Sequence, residues 1–176
     1  TFIDEEILSK ELCGVSRPRL FRGKVTVCVK LLNIIRPSVM IVGQIDLQFA
    51  VVMKQALRNL HLPIRVAVGP TIRAEDGLAW SVYSDRFTSN QREEACHIYR
   101  ALCMARQMIE EGMRSADRIT GEIIYILGQC RRLRIIYVSV VHPETLSPRR
   151  EIVLGETLVA VAAWCDEYQL IDNILT

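Results

Sequence analysis

Two short stretches of this chain bring together residue types that handle hydroxyls and anions: GQIDLQ, from Gly43 to Gln48, and GPTIRAEDGLAWSVYS, from Gly69 to Ser84. Gly43 carries no Cβ, so a ligand can approach its backbone closely. Asp46 suits either of two roles: it can accept hydrogen bonds from ribose-type hydroxyls, or cap the helix that starts beside it. Arg73 presents a planar fork of donors that can brace a loop against a carboxylate. Asp76-Gly77 is a turn signal. The Ser81 hydroxyl can meet a phosphate oxygen or simply solvent. Nucleophilic catalysis finds no support, because His61, His97 and His142 lack a Ser or Cys at triad-like spacing, and no catalytic residue is assigned. The six cysteines lie scattered without C-x-x-C pairs, and three fall on apolar helical faces as small hydrophobes. Reduced thiols are expected, with no metal ligand set and no disulfide framework.

The elements around these stretches are set by periodicity. SVMIVG, closed by Pro37 and Gly43, reads as a parallel strand covered on both faces, and IRVAVG reads as a second strand. Between them, Leu47, Ala50, Val51, Lys54, Leu57 and Leu60 recur at helical spacing up to Pro63, which completes a βαβ unit. An earlier helix runs through Val25, Cys28, Val29, Leu32 and Ile35. Ligands of open α/β sheets bind beyond the carboxyl ends of the strands, where both stretches fall. Further on, Thr88 to Gln91 forms a capping box for a long helix through Ala95, Ile98, Tyr99, Leu102 and Ile109 that Gly112 closes. A second helix passes through Ile119, Ile123, Ile126, Leu127 and Cys130. Three β segments follow: LRIIYVSVV, ETLVAVAAW and YQLIDNI. The fold expected is α/β. The later part of a parallel α/β domain covers 1–75, a loop covers 76–87, and an α+β domain with two helices and a three-stranded antiparallel sheet covers 88–176. Tyr83, Tyr99, Tyr125 and Trp164 are expected to pack rather than to stack bases.

A net charge of +2 over 176 residues gives no electrostatic case for nucleic acid or an anionic membrane. Arg17, Arg19, Arg22 and Lys24 cluster where a helix begins, as a solvated face or as a contact for an anion at the helix N-terminus. No apolar run is long enough to span a bilayer, and the acidic start TFIDEEILSK has no signal-peptide pattern, so a cytoplasmic location is expected. A single βαβ unit is short for a doubly wound sheet. Further strands are therefore expected ahead of Thr1, and the exposed edge should make the chain self-associate or take a partner that completes it.

The order GVSRPRLFRGKVTVCVKLLNIIRPSVMIVGQIDLQ, PTIRAEDGLAWS, YVSVVHPETLSP, LVAVAAW, LIDNI resembles the pantothenate synthetase (pantoate–β-alanine ligase) family, from about Leu12 to Ile174. The part resembled is the family's C-terminal two thirds. The resemblance implies a partial Rossmann-like, nucleotidyltransferase-like sheet followed by a lid domain. It implies ATP and magnesium as cofactors and pantoate and β-alanine as substrates, joined through a pantoyl adenylate. It places Gly43 and Asp46 on adenosine, the Ile72 backbone on adenine and Ser81 on phosphate. Arg73, Asp76 and Gly77 support the signature loop, and Arg17-Pro18 matches an Arg-Pro pair. The chain also departs from the family. Ile45 stands where the family has its ATP-binding Lys, Phe49 where it has its pantoate-binding Gln, and Leu20 where it has a His. Trp80-Ser81-Val82-Tyr83-Ser84 replaces Met-Ser-Ser-Arg-Asn, Gln169 replaces an Arg, and the family's His-x-Gly-His and Pro-Thr-Met-Gly motifs do not occur. A charged hydrogen bond to phosphate is worth about 1.5–3 kcal/mol, so losing two cations together with the histidine motif slows such chemistry by several powers of ten. The expectation is thus a ligase-family chain of reduced activity, or an inactive relative that serves as a binding or assembly module.

Overall fold

The computed structural model describes residues 1–176. In chain order the elements are α1 (Cys13–Ser16), α2 (Leu20–Ile35), β1 (Val39–Gly43), α3 (Leu47–Asn59), β2 (Arg65–Gly69), α4 (Ser89–Glu110), α5 (Ala116–Gly128), β3 (Leu133–Val141), β4 (Leu158–Cys165) and β5 (Tyr168–Leu175). They fall into two compact units, Thr1–Pro70 with Glu144–Leu146, and Thr71–Pro143 with Ser147–Thr176. No helix is long and apolar enough to cross a membrane.

In the first unit β1 and β2 pair in parallel, from Val39 opposite Arg65 to Gly43 opposite Gly69. α3 connects them and packs on both, and α2 packs on α3. Phe21, Val25, Val29 and Leu32 form the buried stripe of α2, which ends when Arg36 turns left-handed at φ 52°. α3 is apolar almost all round its first two turns, and Leu47 to Met53 are all buried. The strands do not have the cover on both faces that their apolar runs suggested. Val42 is buried, but Ile41 on the alternate face is 76 % exposed. The reason is that α2 lies against the connecting helix, leaving the other face of the sheet bare. Ile35 and Leu60 are likewise exposed rather than part of the apolar stripes. A second apolar row on α2, Val27, Leu31 and Ile34, faces outward.

In the second unit the order of the antiparallel sheet is β3-β4-β5, with an irregularity between Ile135 and Tyr137. The expected capping box is present: the Thr88 hydroxyl accepts from the Gln91 N–H, and the Gln91 side chain accepts from the Thr88 N–H. α5 is capped by Ser115, whose hydroxyl accepts from the Arg118 N–H. Both helices press apolar faces onto the sheet, and Leu102, Ile119, Ile123, Leu127, Val159 and Ile174 make the centre of the core. Tyr125 does not pack as expected. It lies on the outer face of α5 and is 65 % exposed.

Candidate functional site

The first unit contributes the end of β1. Gly43 closes the strand in extended conformation, a 3-10 turn spans Gln44–Asp46, and α3 begins at Leu47. Asp46 does not cap α3. Its backbone stands at φ −98° and ψ 35° with no capping hydrogen bond, and the Leu47 N–H already donates to the Gln44 carbonyl within the turn. The carboxylate meets α2 instead: Lys24 Nζ donates to Asp46 Oδ1 at 3.2 Å. The same ammonium lies 4.4 Å from the centroid of the Phe49 ring, which is buried. Beside them Gln48, also buried, ties down the segment ahead of Arg17-Pro18. Its Oε1 accepts from the Cys13 N–H at 3.0 Å, and its Nε2 donates to the carbonyls of Leu8 at 3.0 Å and Glu11 at 2.6 Å. Arg17 lies on the surface at the end of α1.

The second unit contributes the loop from Thr71 to Thr88. Arg73 binds Asp172 through two parallel bonds, Nη1 to Oδ2 at 2.6 Å and Nη2 to Oδ1 at 2.8 Å. Nη1 also donates to the Gly77 carbonyl at 3.2 Å, and the guanidinium stacks 3.6 Å from the centre of the Tyr99 ring. Burial works against the Arg73 charge, but the hydrogen bond and charge of Asp172 outweigh it and push its pKa up. Gly77 adopts φ 89°, and a Cβ there would come within 2.6 Å of the Tyr99 ring. Glycine is therefore required twice, by backbone and by contact. Asp76 Oδ1 accepts from the Leu78 N–H at 3.1 Å and Oδ2 from Arg92 Nε at 2.6 Å. The bond from Arg92 holds the Asp76 carboxyl below its usual pKa. The loop is thus pinned to β5 through Asp172 and to α4 through Tyr99 and Arg92.

Beyond this pinned part the loop turns back on itself. Ala74 N–H donates to Leu78 O, and Trp80 N–H to Ile72 O. The Ser81 hydroxyl accepts from the Tyr83 N–H at 3.2 Å, and the Ser81 N–H donates to Ser84 Oγ at 2.8 Å. Tyr83 packs on Tyr168 with ring centroids 5.1 Å apart. Ile72, Trp80 and Val82 project to solvent. A pocket of about 490 Å³ lies against this loop, lined by Arg73, Glu75, Asp76, Trp80 and Arg92 among others. A larger polar pocket of about 660 Å³, lined by Glu94, His97, Arg132 and Asp166 among others, contains none of the expected site residues. The structure therefore gathers Gly43 and Asp46 in the first unit, and Ile72, Arg73, Asp76, Gly77 and Ser81 in the second. Lys24, Tyr99, Arg92 and Asp172 join these clusters, although residue types and spacing alone do not place them there. No three His, Cys, Asp or Glu side chains are grouped to hold a metal ion. A magnesium ion here would take its ligands mainly from phosphate oxygens and water, its usual habit beside nucleotides.

A match to the family described as pantoate-β-alanine ligase spans residues 1–175. The chain belongs to the pantoate–β-alanine ligase family. A pantothenate synthetase of Pseudothermotoga lettingae is 37 % identical over 175 residues, covering 99 % of this chain and 62 % of that protein. The crystal structure of the Thermus thermophilus pantothenate synthetase superposes with a TM-score of 0.93 at 32 % identity, covering 99 % of this chain and 63 % of that one. The Francisella tularensis ligase, complexed with beta-gamma ATP and β-alanine, superposes at a TM-score of 0.71 and 24 % identity, a likeness of fold. The chain therefore spans about three fifths of these ligases' length. Its α/β fold, a two-stranded parallel sheet followed by a three-stranded antiparallel one, is that of the Thermus ligase.

Proposed function

We propose that this chain is the nucleotide-handling part of an AMP-forming pantoate–β-alanine ligase. The observation that carries the reading is the family match over nearly the whole chain, with Gly43 ending β1, Asp46 shortly after it, and Ile72 and Arg73 shortly after β2. In the reaction a pantoate carboxylate oxygen attacks the α-phosphate of ATP and pyrophosphate leaves. The amine of β-alanine then attacks the acyl carbon, and AMP leaves with pantothenate formed. Magnesium supplies charge neutralisation on the phosphates when bound. Gly43 leaves room for the nucleoside against the backbone. Asp46 Oδ1 is taken by Lys24, and Oδ2 is the acceptor for a ribose hydroxyl. The Ile72 backbone serves adenine. Arg73, Asp76 and Gly77 fix the loop that carries Ser81 toward phosphate. The reading is tested by assaying AMP release from ATP, pantoate and β-alanine; a purified protein containing this whole chain that releases none would contradict it.

A second reading, a non-catalytic relative, is favoured by one specific feature. The segment from Trp80 to Ser84 has no cation and spends its serine hydroxyls and amides on each other. Together with Ile45 and Phe49 this supports slow turnover by the chain alone. A micromolar dissociation constant for Mg-ATP would weigh against that reading. The apolar row on α2 and the bare face of β1 support a cover supplied by a second copy or by further protein.

A further inference from the structure

The resemblance left the position of Ile45 without a cation, yet the structure puts one beside it. Lys24, from the second turn of α2, reaches across to Asp46, the residue next to Ile45, and rests on the Phe49 ring. We propose that Lys24 is this chain's phosphate-binding cation, an ammonium delivered from α2 to the carboxyl end of β1 in place of a charge at position 45. This assignment rests on the nucleotide reading above.

Three features of the geometry carry it. First, the site is where an anionic ligand of an open α/β sheet binds, beyond the carboxyl end of a strand. Second, the ammonium is aimed but not exhausted. It has three donors, of which Asp46 accepts one while the Phe49 face lies against the group. Its side chain keeps 35 % exposure and that of Asp46 43 %, so an approaching phosphate can reach both. Third, stability gives little reason for the pair, because half-exposed ion pairs contribute little to folding. Phe49 is buried beneath the ammonium, shields it from water on one side and so strengthens its field toward a ligand on the other. Phe49 and Lys24 thus act together: the ring that removes a polar side chain from position 49 is the surface on which the lysine lies.

The test is calorimetric titration of adenosine, AMP and Mg-ATP into the chain and into its Lys24→Met and Lys24→Arg variants. The expected result is that Lys24→Met weakens AMP and Mg-ATP by about tenfold or more, the effect of one charged hydrogen bond. Adenosine binding should be unchanged and Lys24→Arg should keep most of the affinity. Unchanged adenosine binding also shows that the variant is folded. Equal Mg-ATP affinity in wild type and Lys24→Met overturns the assignment and leaves the nucleotide reading standing. An equal loss of adenosine binding also overturns it, because Lys24 would then serve only to hold Asp46. If none of the three ligands binds the wild-type chain, the nucleotide reading itself falls, and the assignment with it.

Discussion

Removing Asp172 should loosen the loop from Arg73 to Ala79 and destabilise the chain more than any other single change at the site. Both side chains of the pair are largely withdrawn from water, Asp172 at 5 % exposure and Arg73 at 17 %. The bond is bidentate, so Asp172→Ala leaves a guanidinium holding only the Gly77 carbonyl and the Tyr99 ring. Breaking a buried pair costs about 3–5 kcal/mol. The residual exposure of Arg73 lowers the expectation to about 2–4 kcal/mol. For a protein of this size each kcal/mol moves Tm by about 2–4 °C, so a fall of about 4–16 °C is expected. Arg73→Ala should cost less, because Asp172 Oδ1 keeps the Asn173 N–H as a donor at 2.8 Å. The decisive assay is a double-mutant cycle by urea unfolding on Asp172→Ala, Arg73→Ala and the double variant. A coupling of about 1.5–3 kcal/mol is expected. A coupling below about 0.5 kcal/mol, the range of independent sites, would show that the pair does not pin the loop.

Gly77→Ala should destabilise by about 1–3 kcal/mol, from the positive φ and the approach to Tyr99, and part of the loss should return in a Tyr99→Ala background. Additive losses in unfolding experiments would contradict that. Because the Arg92 hydrogen bond lowers the Asp76 carboxyl below its usual 3.8, its stabilising effect is present above that value and is lost as pH falls through the folded-state pKa. The Asp76→Asn variant should accordingly show a flatter loss of urea midpoint on acidification below about pH 5, while an unchanged acid limb would show that Asp76 is not a source of that loss. The outward row Val27, Leu31, Ile34 should drive self-association of the isolated chain, and Leu31→Glu with Ile34→Glu should reduce it in light scattering. A monomer at high concentration in both proteins would leave that row without a role.

Most of the architecture was legible because it is local. The apolar runs of β3 and β5 begin at the residues where the strands begin, and the Thr88–Gln91 capping box is a four-residue signal that reads the same in sequence and structure. What escaped depends on long-range placement. The Arg73–Asp172 pair joins residues 99 positions apart, which no periodicity reports. A hint was present: Leu170, Asp172 and Ile174 alternate along β5, so a carboxylate stands at an inward position and demands a partner. Asp46 was open to a capping role because an acidic residue before an apolar helix is a common cap; here the preceding 3-10 turn satisfies the first amide, and a lysine 22 positions earlier takes the carboxylate. Lys24 itself was visible only as part of a basic cluster, since its direction depends on how α2 packs against α3. Cover of β1 on both faces failed as an expectation because apolar composition records what a strand can bury, not which element is at hand to bury it.

Nucleotide binding is the property on which the functional reading depends most directly. Mg-ATP titrated calorimetrically into the folded chain, with and without pantoate, should give measurable binding at the Gly43–Asp46 end that pantoate strengthens. No heat from a demonstrably folded sample, with or without pantoate, would contradict that reading and leave the chain a ligase fold that no longer handles the ligase's nucleotide.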